Sequence, residues 1–247
     1  MALNQTKIYH LYHSGVAVKD NESLMVFDYY KDNPAGLKRD ITNGVISQED
    51  LAEKKNLYGF VSHRHSDHYN PQIFTWEDQV DNAKYIISDD VNVRTDKDNY
   101  IFVNKDEQTQ VDDMNIKTFG STDSGVSFLV KKEDMTIFHA GDLNWWHWKN
   151  DSRDEQKAEE ENYKKEVEKI AREEKIDVAF VPVDPRLEEY YYLAGDYFLR
   201  EVKPEVFIPI HFASNFDITD KFAEKMSKSN IDSEIKVIKK RGQEIDL

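Results

Sequence analysis

The sequence predicts an α/β chain of two sheet-bearing halves with helices on their outer faces. Three observations predict it. Apolar residues come in runs of strand length, as in Tyr-Gly-Phe-Val at 58–61, Ala-Phe-Val-Pro-Val at 179–183 and Val-Phe-Ile-Pro-Ile at 206–210. The first half is a succession of strand-like runs with one or two helices between them. The second half repeats strand, helix, strand, helix. No linker or fixed-period repeat divides the 247 residues, so 1–247 is expected to be a single domain.

Taken in order, Lys7 to Val18 predicts a strand, and Ser23–Tyr30 a second after a tight turn at Asp20-Asn21-Glu22. Residues 31–56 are polar, with Asn-Pro and Asn-Gly, and predict a loop with a short helix near Ser47–Lys55. Leu57–Ser62 is a strand of buried type. Asn70-Pro71 looks like an N-cap followed by proline at the first helical position, opening a helix to about Val80. Short strands are expected at Lys84–Ser88, Tyr100–Val103 and Asn115–Phe119, and a hairpin of Val126–Lys131 with Thr136–Ala140. From Asp151 to Lys175 the composition favours helix, with an apolar stripe of Tyr163, Val167, Ile170 and Ala171. It predicts a solvated surface helix rather than a lid over a cleft. Then follow strand Val178–Val183, helix Ala194–Val202, strand Val206–Ile210, helix Thr219–Ser229 and a last strand Glu234–Lys239.

The formal net charge is −15, which argues against broad nucleic-acid binding, because that needs a Lys/Arg surface. With no cysteine there is no disulfide and no thiolate metal site, so any metal must be held by histidine and carboxylate. No apolar stretch reaches membrane-spanning length, and the N-terminus shows no signal-peptide pattern. The expectation is a soluble cytoplasmic protein that meets a small-molecule substrate and no membrane. The sequence leaves its oligomeric state open.

Ser-His-Arg-His-Ser-Asp-His at 62–68 carries three of the eight histidines. Side chains two apart on a strand point the same way, so His63 and His65 can grip one ion. Asp67 and His68 follow where the chain leaves the strand and suit a second, nearby position. Alone, the segment can also be a solvated turn. Two later strands weigh against that: Thr136–His139 runs on to Gly141-Asp142, and Val206–Ile210 ends in His211. Ligand-type residues at the ends of three buried strands are what a metal cleft at a sheet edge requires.

His63-Arg64-His65-Ser66-Asp67-His68 resembles the His-x-His-x-Asp-His signature of the metallo-β-lactamase-fold hydrolases. Gly141-Asp142 looks like that superfamily's bridging aspartate and Pro209-Ile-His211 like its last histidine. His13-Ser14-Gly15 and Phe27-Asp28 are similar to the opening of the ascorbate-6-phosphate-lactonase-like branch. The resemblance covers about residues 7–216. It implies a four-layer αβ/βα sandwich of two mixed β-sheets and a site for two divalent ions, Zn or Mn. His63 and His65 would hold the first ion, Asp67, His68 and His211 the second, and Asp142 both. A water between the ions would be the nucleophile, with Asp67 orienting it or carrying its proton as a catalytic group. The activity implied is hydrolysis of a small ester, lactone or phosphorylated compound. The alternatives are a phosphodiesterase or nuclease of the same fold, and a metal-binding protein that lost turnover.

The chain departs from the pattern at Phe119–Val126, where the family's third histidine for the first ion has no counterpart. Asp123 is the nearest replacement. As a ligand it would favour harder ions such as Mn; as a turn residue it would only stabilise Ser121–Gly125 and leave the first ion weak or absent. Leu143-Asn-Trp-Trp-His-Trp148 invites either a substrate pocket with His147 in it or packing under the helix at 151–175. Asp184 would support a ligand histidine, and Arg186 would meet an anionic substrate group, or both are ordinary loop residues. His10 and His139 are expected in the core.

Overall fold

The computed structural model describes residues 6–247 and divides into two compact units, 6–104 with 238–247, and 105–237. Each contains one mixed seven-stranded sheet, as the apolar runs predict.

In the first unit the strands are β1 (Lys7–Tyr12), β2 (Gly15–Lys19), β3 (Ser23–Phe27), β4 (Asn56–Val61), β5 (Asn82–Ser88) and β6 (Tyr100–Val103), with helix α1 (Gln48–Ala52) between β3 and β4. β1, β2 and β3 are antiparallel neighbours, and β3 to β6 run parallel. The expected first strand is thus two, because His13 takes a positive φ of 56° and the chain folds back at Ser14. Asn70 caps as expected, accepting from Gln72 N–H, but Pro71–Asp78 winds as a 3₁₀ helix. Its Ile73 carbonyl accepts from the Tyr85 hydroxyl at 2.7 Å, and Ile73 and Trp76 pack into the core with Tyr85 and Leu57.

In the second unit β7 (Gln108–Val111), β8 (Met114–Gly120), β9 (Val126–Lys132) and β10 (Met135–His139) form an antiparallel meander. β11 (Val178–Pro182), β12 (Val206–Ile210) and β13 (Glu234–Ile235) extend it in parallel. The sequence pattern missed β7, whose Gln-Thr-Gln-Val has little apolar content. Helices α2 (Arg153–Ile170), α3 (Leu193–Glu201) and α4 (Asp217–Met226) complete the unit. α2 opens on a capping box, with Ser152 and Glu155 each satisfying the other's backbone N–H. It buries Tyr163, Val167 and Ile170, roughly 1.5–3 kcal/mol each. Ala171 is exposed and falls outside the stripe.

Prolines 182 and 209 interrupt neither ladder. β13 pairs only with Val206 and Phe207, so Pro209 has an open side, and Pro182 lies beyond the last residue of β11 that pairs with β10.

The expected strand 234–239 is only two residues long. The chain then crosses to the first unit, where β14 (Gln243–Ile245) pairs antiparallel with β1. Arg241 holds this return in place, donating to the carbonyls of Leu11, Lys31, Asn33 and Gly44. Among the described residues no helix is long and apolar enough to cross a membrane.

Candidate functional site

In each unit the candidate residues lie where parallel strands end, the position at which α/β sheets commonly bind ligands. In the first unit Phe27 stands opposite Phe60, their rings stacked at 4.3 Å. Asp28 follows Phe27 directly and donates its N–H to the Phe60 carbonyl, which brings its side chain within reach of Ser62, two residues beyond Phe60. Asp28, with φ of 46°, turns its carboxylate to accept from Ser62 N–H (2.8 Å), Ser62 Oγ (2.7 Å) and His68 Nδ1 (2.8 Å). Ser62 Oγ also lies 3.0 Å from His63 Nδ1. Asp28, Ser62, His63 and His68 are all fully buried. The His63 ring centre is 4.6 Å from that of His65 and 4.2 Å from that of His68. His13, Asp67 and His68 each offer a ligand atom within 4.8 Å of the others, and His13 Nε2 is 3.4 Å from Asp67 Oδ2. That hydrogen bond holds the half-exposed Asp67 carboxyl well below the usual carboxylate range, against the opposing effect of burial. The structure thus brings His63, His65, Asp67 and His68 together.

In the second unit β10, β11 and β12 end next to one another and deliver Asp142, Asp184 and His211. His211, at φ 68°, places Nε2 3.1 Å from Asp142 Oδ1 and Nδ1 3.0 Å from Asp184 Oδ2. Two ligands of one tetrahedral ion at about 2.0–2.1 Å lie roughly 3.3 Å apart, so the first spacing suits a shared cation. Arg186 grips Asp184 through Nε (3.0 and 2.9 Å) and Nη2 (2.5 Å). Burial alone would raise the Asp184 carboxyl, but the hydrogen bonds from His211 and Arg186 outweigh it and bring it down to about 2.

Asp123 is exposed on its turn, with one carboxylate oxygen within 4.8 Å of Asp142. The turn is positioned by α2: Gly120 N–H donates to Glu166 Oε2 at 3.1 Å, and a side chain at Gly120 would meet that carboxylate at 3.0 Å. Within the turn, Asp123 N–H donates to Ser121 Oγ at 3.2 Å, so a serine hydroxyl supplies one of its closing bonds. Burial and the charges of Asp151 and Asp123 raise Glu159 above the usual carboxylate value.

Trp145 packs against Tyr163 of α2, with Lys164 over its ring, as the packing alternative has it. Trp146 meets the His211 ring edge-on at 5.6 Å and stacks on Trp148. His147, half-buried, lies against Tyr190 at 4.3 Å. His10 and His139 are fully buried; burial pulls His10 down to about 3, and His139 Nδ1 accepts from Gly141 N–H.

Sequence reasoning overlooked Ser62 and gave Asp28 no role of its own. The available signal was an aspartate directly after the apolar run Ser-Leu-Met-Val-Phe.

The donors fit a divalent cation. Nδ1 of His63, His68 and His211 is engaged by Ser62, Asp28 and Asp184, and a carboxylate on Nδ1 fixes the tautomer whose Nε2 carries the ligand lone pair. Imidazole and carboxylate together suit Zn, Mn or Fe.

No protein-family model matches the chain, and no curated protein does. Solved structures do. A candidate metal-dependent hydrolase from Parabacteroides distasonis ATCC 8503 aligns with a TM-score of 0.62 at 14% identity, over 95% of this chain and 94% of its own. Igni18, a metallo hydrolase from the hyperthermophilic archaeon Ignicoccus hospitalis KIN4/I, aligns at 0.61 and 16%, over 97% of each chain. The metallo-β-lactamase fold protein YhfI from Bacillus subtilis aligns at 0.60 and 11%, over 98% of this chain and 99% of its own. At these identities the likeness is one of fold. The chain has the metallo-β-lactamase fold, in the α/β class, with two mixed seven-stranded sheets and helices.

Proposed function

We propose that this metallo-β-lactamase-fold chain is a metal-dependent hydrolase of a small ester, lactone or phosphorylated compound. Its ligands are His63, His65, Asp67, His68, Asp142 and His211, joined by Asp123 where the third histidine is missing. The observation that carries this reading is the support behind the histidines: His68 on Asp28 and His211 on Asp184, both buried carboxylate–imidazole pairs. A buried carboxylate on Nδ1 raises the basicity of Nε2, which serves a cation and has little use in a purely structural histidine.

A bound divalent ion would supply Lewis acidity and a water acidified toward neutral pH. The chain's own residues do the rest. Asp67 accepts a hydrogen bond from the attacking water and orients it, the role that suits a carboxylate held well below its usual range and therefore weakly basic. Ser62 and Asp28 keep His63 and His68 in register. His147 and Arg186 face the substrate. Two divalent ions, zinc or manganese, satisfy the ligand count, and oxygen from Asp123 favours manganese.

The test is elemental analysis of protein purified without chelator, then turnover on ester, lactone, phosphomonoester and phosphodiester panels. Two ions per chain with turnover on a small ester, lactone or phosphomonoester is expected. A chain that takes up no metal even after reconstitution would sink the reading. Turnover confined to phosphodiesters would move it to the phosphodiesterase class, and metal without turnover to a binding protein.

A further inference from the structure

The segment after Asp142 carries buried donors that the fold leaves unused. Asn144 is 1% exposed and Trp146 8%. Neither Asn144 Nδ2 nor Trp146 Nε1 has an acceptor among the described residues. Trp145 Nε1 between them has none either; roughly nine in ten buried polar groups do have a partner, so three exceptions in three consecutive residues call for a cause. Loose packing is not the cause: Thr122 Oγ1 accepts from Asn144 N–H at 2.9 Å and donates toward the carbonyls of Asn144 (2.6 Å) and Asp142 (3.2 Å). The segment is pinned with its donors in place.

A cation stands beside Trp146. The Arg186 guanidinium carbon is 5.8 Å from the Trp146 ring and 5.7 Å from the Trp148 ring, and the two indoles stack at 5.9 Å with 6° between their planes. Asp184 fixes the guanidinium from below, yet the Arg186 side chain is 55% exposed. Guanidinium and indole nitrogens are donors only, so the natural occupant is a group that only accepts. Arg186 already covers the indole faces, which disfavours a cationic ligand there. In a chain of net charge −15, such a local positive group offsets the surrounding field and favours an anion at this place.

We propose that an oxyanion group of the substrate, a phosphate or a carboxylate, binds beside His211. It accepts from Asn144 Nδ2 and Trp146 Nε1, and Arg186 supplies the balancing charge. This inference rests on the hydrolase reading and narrows its substrate class to anionic compounds.

The test titrates inorganic phosphate and, separately, acetate into the metal-loaded protein and into the same protein after chelator. Binding is followed by calorimetry and tryptophan fluorescence, and metal content is measured in each sample. The variants are Asn144→Ala, Trp146→Phe, which keeps the ring, and Arg186→Gln. At native circular dichroism and unchanged metal content, each is expected to weaken the better anion about tenfold or more. Which anion binds tighter separates a phosphate ester from a carboxylate substrate. Equal affinity in the native protein, Asn144→Ala and Trp146→Phe overturns the proposal, since an anion seated on the metals alone would not sense these donors. A native protein that holds no metal fails the hydrolase reading instead, and the chelator-treated titrations then decide the anion subsite by the same comparison.

Discussion

In the first unit the carboxylate behind His68 is Asp28; in the second, the carboxylate behind His211 is Asp184. Both are buried and both bond Nδ1 at 2.8–3.0 Å. They are supported differently. The donors on Asp28, from Ser62 and His68, are themselves fully buried, and Asp28 sits at positive φ. Asp184 has an ordinary backbone as the cap of a 3₁₀ turn, the positive φ falls on His211 instead, and Arg186 links the carboxylate to solvent. A sealed network has no water to replace a lost partner, whereas an open one does. The first unit's network should therefore be the brittle one and the second unit's the tunable one.

The largest effect expected is from Asp28→Asn. It leaves buried donors facing an amide and should lower metal affinity up to about 100-fold and stability by about 3 kcal/mol. Asp184→Asn should cost less on both counts, near tenfold in affinity, because Arg186 can turn to water. Metal titration and thermal melting of the two variants would check this, and equal losses would erase the distinction between the units.

Acid provides a second measurement. The Asp184 carboxyl lies lower in the folded chain, at about 2, than its ordinary value of 3.8. A depressed carboxyl stabilises above the unfolded value and loses that contribution as pH falls through the folded one. In metal-free protein, Asp184 should thus contribute about 2 kcal/mol at pH 5 that fades between roughly pH 4 and 2. Melting curves of the native protein and Asp184→Asn should converge across that window.

The smallest effect should come from Asp123→Ala. Asp123 is exposed, so folding should be unaffected, while the affinity of one ion falls about tenfold and the other stays. Unchanged stoichiometry and affinity would assign Asp123 to its turn.

Much of this was legible in the chain. The parallel strands announce themselves as apolar runs, and a polar residue closing such a run picks out a candidate, as with His63, Asp142 and His211. Residues that act on other residues were harder to see. Ser62 looks like any strand-end serine, and its role depends on Phe27 pairing with Phe60 in a strand 33 positions earlier. Asn144 is silent in sequence because its signature is an acceptor it does not find. β14 was missed because three residues carry too little periodicity to register.

That short strand bears on chain connectivity. The second unit is one continuous stretch of chain, whereas the first is assembled from two segments, 6–104 and 238–247, that flank it in sequence. Without Arg241 and β14 the first unit would present β1 as an open sheet edge. The unit with the sealed ligand network therefore depends on a segment more than 130 residues distant from the rest of it, and deleting residues 238–247 should harm that unit and spare the other.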